Sequence, residues 1–148
     1  MERLSKTLLI HLLSEYLFHD CSAYYTYEGF NNEGRQIPTS AGLVQDTSIE
    51  IYAFPKNEPK KGLPILRVNI FDDPPQVHIP NIIMPPLLQH KGVGKKLIRL
   101  IYEVGALHGY HTFVVDLTEG FRTRLLKRGA LETNTYDALQ IVESTKLM

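Results

Sequence analysis

The stretch Ile82-Ile83-Met84-Pro85-Pro86-Leu87-Leu88-Gln89-His90-Lys91-Gly92-Val93-Gly94-Lys95-Lys96 joins an apolar, strand-like segment to an amphipathic helix. Between them lie a Pro-Pro pair and a short loop with two glycines. Such a junction aims several backbone N–H groups at one point, at the positive end of a helix dipole, which suits a phosphate or pyrophosphate. Gly92 and Gly94 permit the tight turn and let an anion approach with no Cβ in its path. Lys91, Lys95 and Lys96 add positive charge.

Two common phosphate loops fail on spacing. A Walker A loop needs a glycine where Gln89 stands and a Ser or Thr where Lys96 stands. A dinucleotide fingerprint needs a third glycine at position 97, which is Leu97. The form Gln89-x-x-Gly92-x-Gly94, with Pro86 three residues earlier, resembles the acyl-CoA motif of the GCN5-related N-acetyltransferases.

The flanking chain reads in the same direction. Leu4, Leu8, Leu9, Leu12, Leu13, Tyr16 and Leu17 predict a helix over 2–18 that covers a sheet. Residues 21–47 read as loop-rich, with a turn at Asn31–Gly34 and a short strand near Gly42–Gln45. Ser48–Phe54 and Leu63–Phe71 alternate and form an antiparallel hairpin, closed by the polar turn Pro55–Gly62. A third strand, Val77–Met84, is broken or bulged at Pro80. The helix after the glycine loop carries Val93, Leu97, Leu100, Ile101, Val104 and Leu107 on one face and stops at Gly109. Thr112–Leu117 then completes a β-α-β unit, followed by a short helix at Glu119–Arg128 and a strand at Ala138–Glu143.

From about residue 48 this order matches the N-acetyltransferase fold. The expected class is α/β (α+β): a mixed, mostly antiparallel sheet, a central β-α-β acyl-CoA-binding unit and helices on both faces. With 148 residues, one domain over 1–148 is the simplest organisation. Sixteen basic and sixteen acidic residues leave no net charge, which argues against a nucleic-acid or anionic-membrane partner. Cys21, the only cysteine, has no internal disulfide partner, so a reducing cytoplasm is the expected compartment. Leu8–Leu13, after Arg3 and Lys6, has a faint likeness to a signal peptide, but His11 interrupts the run, Ser14-Glu15 closes it and no small-x-small cleavage site follows, so a cytoplasmic protein is still the expectation.

The resemblance implies direct acyl transfer from acetyl-CoA, or a related thioester, to the amine of a small molecule or peptide. No covalent enzyme intermediate and no metal are expected. The strand before the loop and the strand after the helix would splay apart and admit the pantetheine arm. Backbone groups of Ile82, Ile83 and Met84 would pair with its amides and polarise the thioester. Gln89 opens the motif, and the amides from His90 through Lys91, Gly92, Val93 and Gly94 to Lys95 would hold the pyrophosphate.

For a general base, His78 is the first candidate. It stands at even spacing from Ile82 and Met84, nominally on their face, with a packed strand histidine as the other reading. Asp116, near the end of the partner strand, is the second; it would serve equally as a capping carboxylate. Thr118 occupies a position where the family usually has Asn for the pantetheine arm or an ordered water. Arg122, on a basic helix face with Arg124, Lys127 and Arg128, would reach the phosphates or remain solvated. Leu125 stands where the family usually places a tyrosine that protonates the leaving thiolate, and Tyr136 is a substitute from the next loop. Acceptor contacts in the family come from loops, the N-terminal third and often a dimer partner, which leaves a homodimer open. Tyr24–Phe30 and Pro55–Gly62 are the expected borders of that pocket.

Overall fold

The computed structural model describes residues 3–147. Its first helix, α1 (Lys6–Asp20), begins four residues later than periodicity predicts, and Glu2 lies outside the described residues. Ser5 sets the start: its side chain accepts the Leu8 N–H at 3.1 Å and satisfies one of the orphan donors of the first turn. Leu9, Leu13 and Leu17, four apart, are fully buried, whereas Leu8 faces out.

The region read as loops is mostly extended. Tyr25–Asn31 forms β1, and Gln36–Thr39 and Gly42–Gln45 form a separate hairpin, β2–β3. Only the last of these strands is visible as a pattern. β1 hides because Gly29 interrupts its apolar face. A Cβ there would collide with Ile10 of α1, so glycine is what lets helix and strand approach.

β4 (Ser48–Pro55) and β5 (Leu63–Asp72) form the expected hairpin, with Ile49, Ile51 and Ala53 buried on one face. A bulge beside Ile51/Tyr52 leaves Ile65 unpaired, which explains why Ile65 is buried beside Leu66 rather than alternating with it. β6 spans Pro75–Ile82, two residues earlier at both ends than predicted. β7 (His111–Val114) stops three residues short of Leu117. α2 (Val93–Leu107) packs Val93, Leu97, Ile98 and Ile101 inward; Leu107, placed on that face by periodicity, is instead exposed at the helix end. α3 (Glu119–Lys127) is followed by a short unpredicted strand, β8 (Leu131–Glu132), and by β9 (Leu139–Ile141).

Seven strands form one sheet in the order β1-β4-β5-β6-β7-β9-β8. Every neighbouring pair is antiparallel except β6–β7, joined through α2 as the predicted β-α-β unit. The fold is therefore mixed α/β with a large, mostly antiparallel sheet. α1 and α2 pack against each other and against the sheet.

Candidate functional site

β6 is paired differently on its two edges. Toward β5 its register runs to Leu66↔Ile82, and the Ile83 N–H continues it by donating to the Ile65 carbonyl at 2.9 Å. Toward β7 the pairing ends at Ile79↔Val114, with a last bond from the Val115 N–H to the Ile79 carbonyl at 3.1 Å. Beyond that point the two parallel strands diverge. The wedge between them opens into a cavity of about 870 Å³.

Pro80 has a direct part in this geometry. From Asn69↔His78 to Arg67↔Asn81, β5 advances two residues and β6 three, so β6 carries the bulge expected at Pro80. The extra residue inverts the facing downstream. Val77 and Thr112 both lie under Gly105 of α2, so Val77 faces α2. Ile82 also faces α2, because its Cγ2 lies 3.4 Å from where a Gly94 Cβ would be. His78 points to the other side, between the rings of Phe71 and Phe113 at 4.9 and 5.5 Å, with Gln76 Oε1 2.9 Å from its Nε2. Burial pushes its pKa below the ordinary imidazole value. The even-spacing expectation thus fails: His78 lines no part of the wedge.

The rim of the cavity is the glycine loop. Gly92 (φ 74°) caps α2 in the left-handed conformation with no side-chain cap, and the Lys96 N–H is the first to bond back to the Gly92 carbonyl, at 3.0 Å. The amides of Val93, Gly94 and Lys95 therefore have no partner within the helix. A left-handed residue followed by right-handed ones is also the backbone arrangement of an anion nest. Gln89 fixes the loop from within, donating through Nε2 to the Met84 carbonyl at 3.1 Å. That bond and the Ile83 N–H bond to Ile65 use two of the backbone groups expected to meet pantetheine. Strand alternation leaves the N–H and C=O of Ile82 directed into the wedge.

Ile82, Ile83, Met84, Gln89, His90, Gly92, Val93, Gly94, Lys95, Asp116 and Thr118 all line this one cavity. Lys91 does not; it is exposed and outside the lining. Nor does Arg122. Its guanidinium lies 4.0 Å over the Tyr136 ring, its Nε donates to the Tyr136 carbonyl at 2.8 Å, and Glu132 is 3.6 Å away. The cavity takes Arg124 and Arg128 instead. A basic helix face read from the sequence gives no means of choosing among these arginines, because the choice depends on where the following loop folds back.

The lining also holds two non-glycine residues in the left-handed region, His90 (φ 63°) and Asp116 (φ 53°), one on each wall. Strained backbone of this kind gathers at functional sites. Thr118 caps α3 by accepting the Phe121 N–H at 3.3 Å and keeps its own O–H free to donate. Leu125 is buried against the cavity. Tyr136 is not its substitute, since its hydroxyl donates to the Glu119 carboxylate at 2.8 Å outside the lining.

A second cavity, of about 610 Å³, opens across the Pro86–Leu87 ridge. Tyr24, Tyr25, Pro55, Lys56 and Leu63 wall it, joining the two segments expected to border an acceptor pocket. Among the described residues no group of three or more His, Cys, Asp or Glu could hold a metal ion, and no helix is long and apolar enough to cross a membrane.

No protein-family model matches the chain, and a search of curated proteins returns no match. Among solved structures it is similar to the crystal structure of nourseothricin acetyltransferase, with 15% identity and a TM-score of 0.38 over 84% of this chain and 91% of that one.

Proposed function

We propose that this protein is an N-acyltransferase of the GCN5-related type, moving an acyl group from acetyl-CoA or a related CoA thioester to a primary amine. One observation carries the reading: the wedge between parallel β6 and β7 opens beside the uncapped N-terminus of α2. The amides of Val93, Gly94 and Lys95 and the charges of Lys95, Arg124 and Arg128 hold the pyrophosphate. The backbone of Ile82 meets the pantetheine arm. The amine nitrogen attacks the thioester carbon, the C–N bond forms and the C–S bond breaks. Asp116 takes the amine proton, directly or through water. Solvent protonates the leaving thiolate, because Leu125 has no proton to give. The amine, from a small molecule or a peptide, approaches from the cavity walled by Tyr24 and Pro55.

A second reading rests on Leu125: a CoA-binding module of the same fold that has lost catalysis. Titration with acetyl-CoA, CoA and ATP while following thermal unfolding tests both. A ligand at a hundred times its Kd stabilises the folded state by about 2.7 kcal/mol, a midpoint rise of roughly 5–10 °C for a chain of this size. That rise is expected with both CoA species and absent with ATP; no shift with either CoA species sinks both readings. Where binding is seen, thiol release against a panel of amines separates enzyme from binding module.

A further inference from the structure

We propose that the β2–β3 hairpin is a self-association arm: β3 pairs edge to edge with β3 of a second copy of this chain, about a two-fold axis at Val44. The hairpin leaves the body between β1 and β4, and buried polar groups fix its base. The Asn32 side chain donates to Ser48 Oγ at 3.0 Å, the Ser48 hydroxyl donates to Asp46 Oδ1 at 2.6 Å, and Arg67 stands 3.7 Å from the same carboxylate. Asn32, Asp46 and Ser48 are all buried. Beyond that base the arm is bare. Every residue of β3 is exposed, Leu43 at 69% and Val44 at 50%, and the two side chains leave opposite faces of the ribbon. A two-stranded ribbon with no cover is at best marginal in water, and added strands complete it.

The two edges of this ribbon differ. The Asp46 N–H donates to the Arg35 carbonyl at 2.8 Å, so by antiparallel alternation Ile37↔Val44 and Thr39↔Gly42 are the hydrogen-bonded pairs. The backbone groups of Gln36 and Pro38 therefore point outward on one edge, and those of Leu43 and Gln45 on the other. Pro38 has no N–H to offer, which blocks the β2 edge against further pairing. The β3 edge, Gly42-Leu43-Val44-Gln45, has neither a proline nor a charge. Among the described residues the outward N–H groups of Leu43 and Gln45 have no partner. The outer edges of the large sheet are defended: β1 carries Glu28 and packs against α1, and β8 is two residues long. A two-fold axis at Val44 sets Leu43 opposite Gln45 of the second copy, and every outward N–H and C=O of these residues then pairs. It also sets the two Val44 side chains side by side and continues the Ile37–Val44 row across the axis. Such a contact is self-complementary, and an uncharged β3 adds no repulsion. The proline-blocked β2 edges end up outermost, so assembly closes at two. The inference is independent of the acyl-CoA reading.

Sedimentation equilibrium of the full chain tests the proposal, from about 1 μM to about 1 mM, a range suited to a small interface. The apparent mass is expected to rise from that of a monomer to twice that value and no further. Amide hydrogen exchange at Leu43 and Gln45 should slow over the same range. Val44→Lys and Val44→Glu each set like charges opposite one another across the axis, so each variant alone should lose the rise in mass. An equimolar mixture of the two should regain it, as a heterodimer. Circular dichroism establishes that the variants are folded, and the wild-type series decides the matter without them. A wild type that stays monomeric overturns the proposal and leaves the β3 edge to a strand of another protein. Growth past the dimer overturns the closed two-fold pairing. Dimerisation that both single variants retain places the interface elsewhere and overturns it as well, and a mixture that stays monomeric overturns the axis at Val44.

Discussion

The two edges of β6 belong to one strand and do opposite things. Along β5 the strand is paired to its end, and the bulge at Pro80 is absorbed without loss of contact. Along β7 pairing stops at Ile79, although the chain on both sides continues past that point. The difference lies in what each neighbour can accommodate. β5 is antiparallel and local, so it follows a bulged partner residue by residue. β7 is parallel, held at its start under α2, and turned away after Val115 by Asp116 in the left-handed region. A sheet can therefore supply rigidity on one edge of a strand and unspent backbone polarity on the other.

Two substitutions separate these regions most sharply. Ile51→Ala, in the fully paired half, empties a completely buried site opposite Leu66 and Gly29. It should lower global stability by roughly 2–5 kcal/mol in denaturant unfolding, while the folded fraction binds CoA as before. Gly94→Glu acts on the open edge. Its Cβ would meet Ile82 at contact distance, and its carboxylate would stand among the amides proposed for the pyrophosphate. CoA affinity should drop on the order of a hundredfold or more, with charge repulsion added to blockage, and the unfolding midpoint should hardly move. If Gly94→Glu instead unfolds the protein, or Ile51→Ala weakens CoA binding to folded molecules, the two edges are not independent.

The paired half was readable in the sequence wherever alternation was undisturbed. Ser48–Phe54 and the apolar residues of Leu63–Phe71 declare themselves, and so does the glycine loop, because its chemistry is carried by spacing. Three features resist such a reading. β1 is masked by Gly29, whose reason for being glycine is a helix distant in sequence. The facing of His78 depends on one extra residue at Pro80: the bulge could be foreseen, but not the count that inverts Ile82 relative to it. Arg122 and Arg128 look equivalent on the helix expected over Glu119–Arg128; the former is claimed by Tyr136 from a loop fourteen residues on. In each case the deciding contact is tertiary, while the pattern that hides it is local.

Asp116 offers a subtler test of the open edge. A non-glycine residue at φ 53° carries backbone strain, which glycine would release. Asp116→Gly should raise stability by about 1 kcal/mol in thermal or denaturant unfolding, while turnover falls through loss of the carboxylate. Stability and activity moving in opposite directions is the signature of strain kept for function. A gain in stability with turnover intact would reduce Asp116 to a turn residue and leave proton removal to solvent.

The smallest effect concerns His78, on the closed side. Burial between Phe71 and Phe113 holds its imidazole below the ordinary value, so the folded protein resists its protonation while the unfolded chain binds the proton near pH 6.5. Stability due to a neutral His78 is therefore complete above about pH 6.5 and is lost as pH falls from there through the folded-state pKa. Asp46 cannot imitate this. Its burial raises its pKa, but hydrogen bonds from Ser48 and the nearby Arg67 outweigh that and hold it below the usual carboxylate value, so its contribution is lost only below about pH 4. The unfolding midpoint measured from pH 8 to pH 5 should fall in the wild type, and His78→Phe should flatten the curve in that window. The same variant distinguishes the two roles the sequence allows. A packed residue on the far face changes the pH dependence of stability and leaves the pH profile of acyl transfer in place. Loss of turnover in a folded His78→Phe would mean that the chemistry reaches through the sheet, and the contrast between the two edges of β6 would no longer hold.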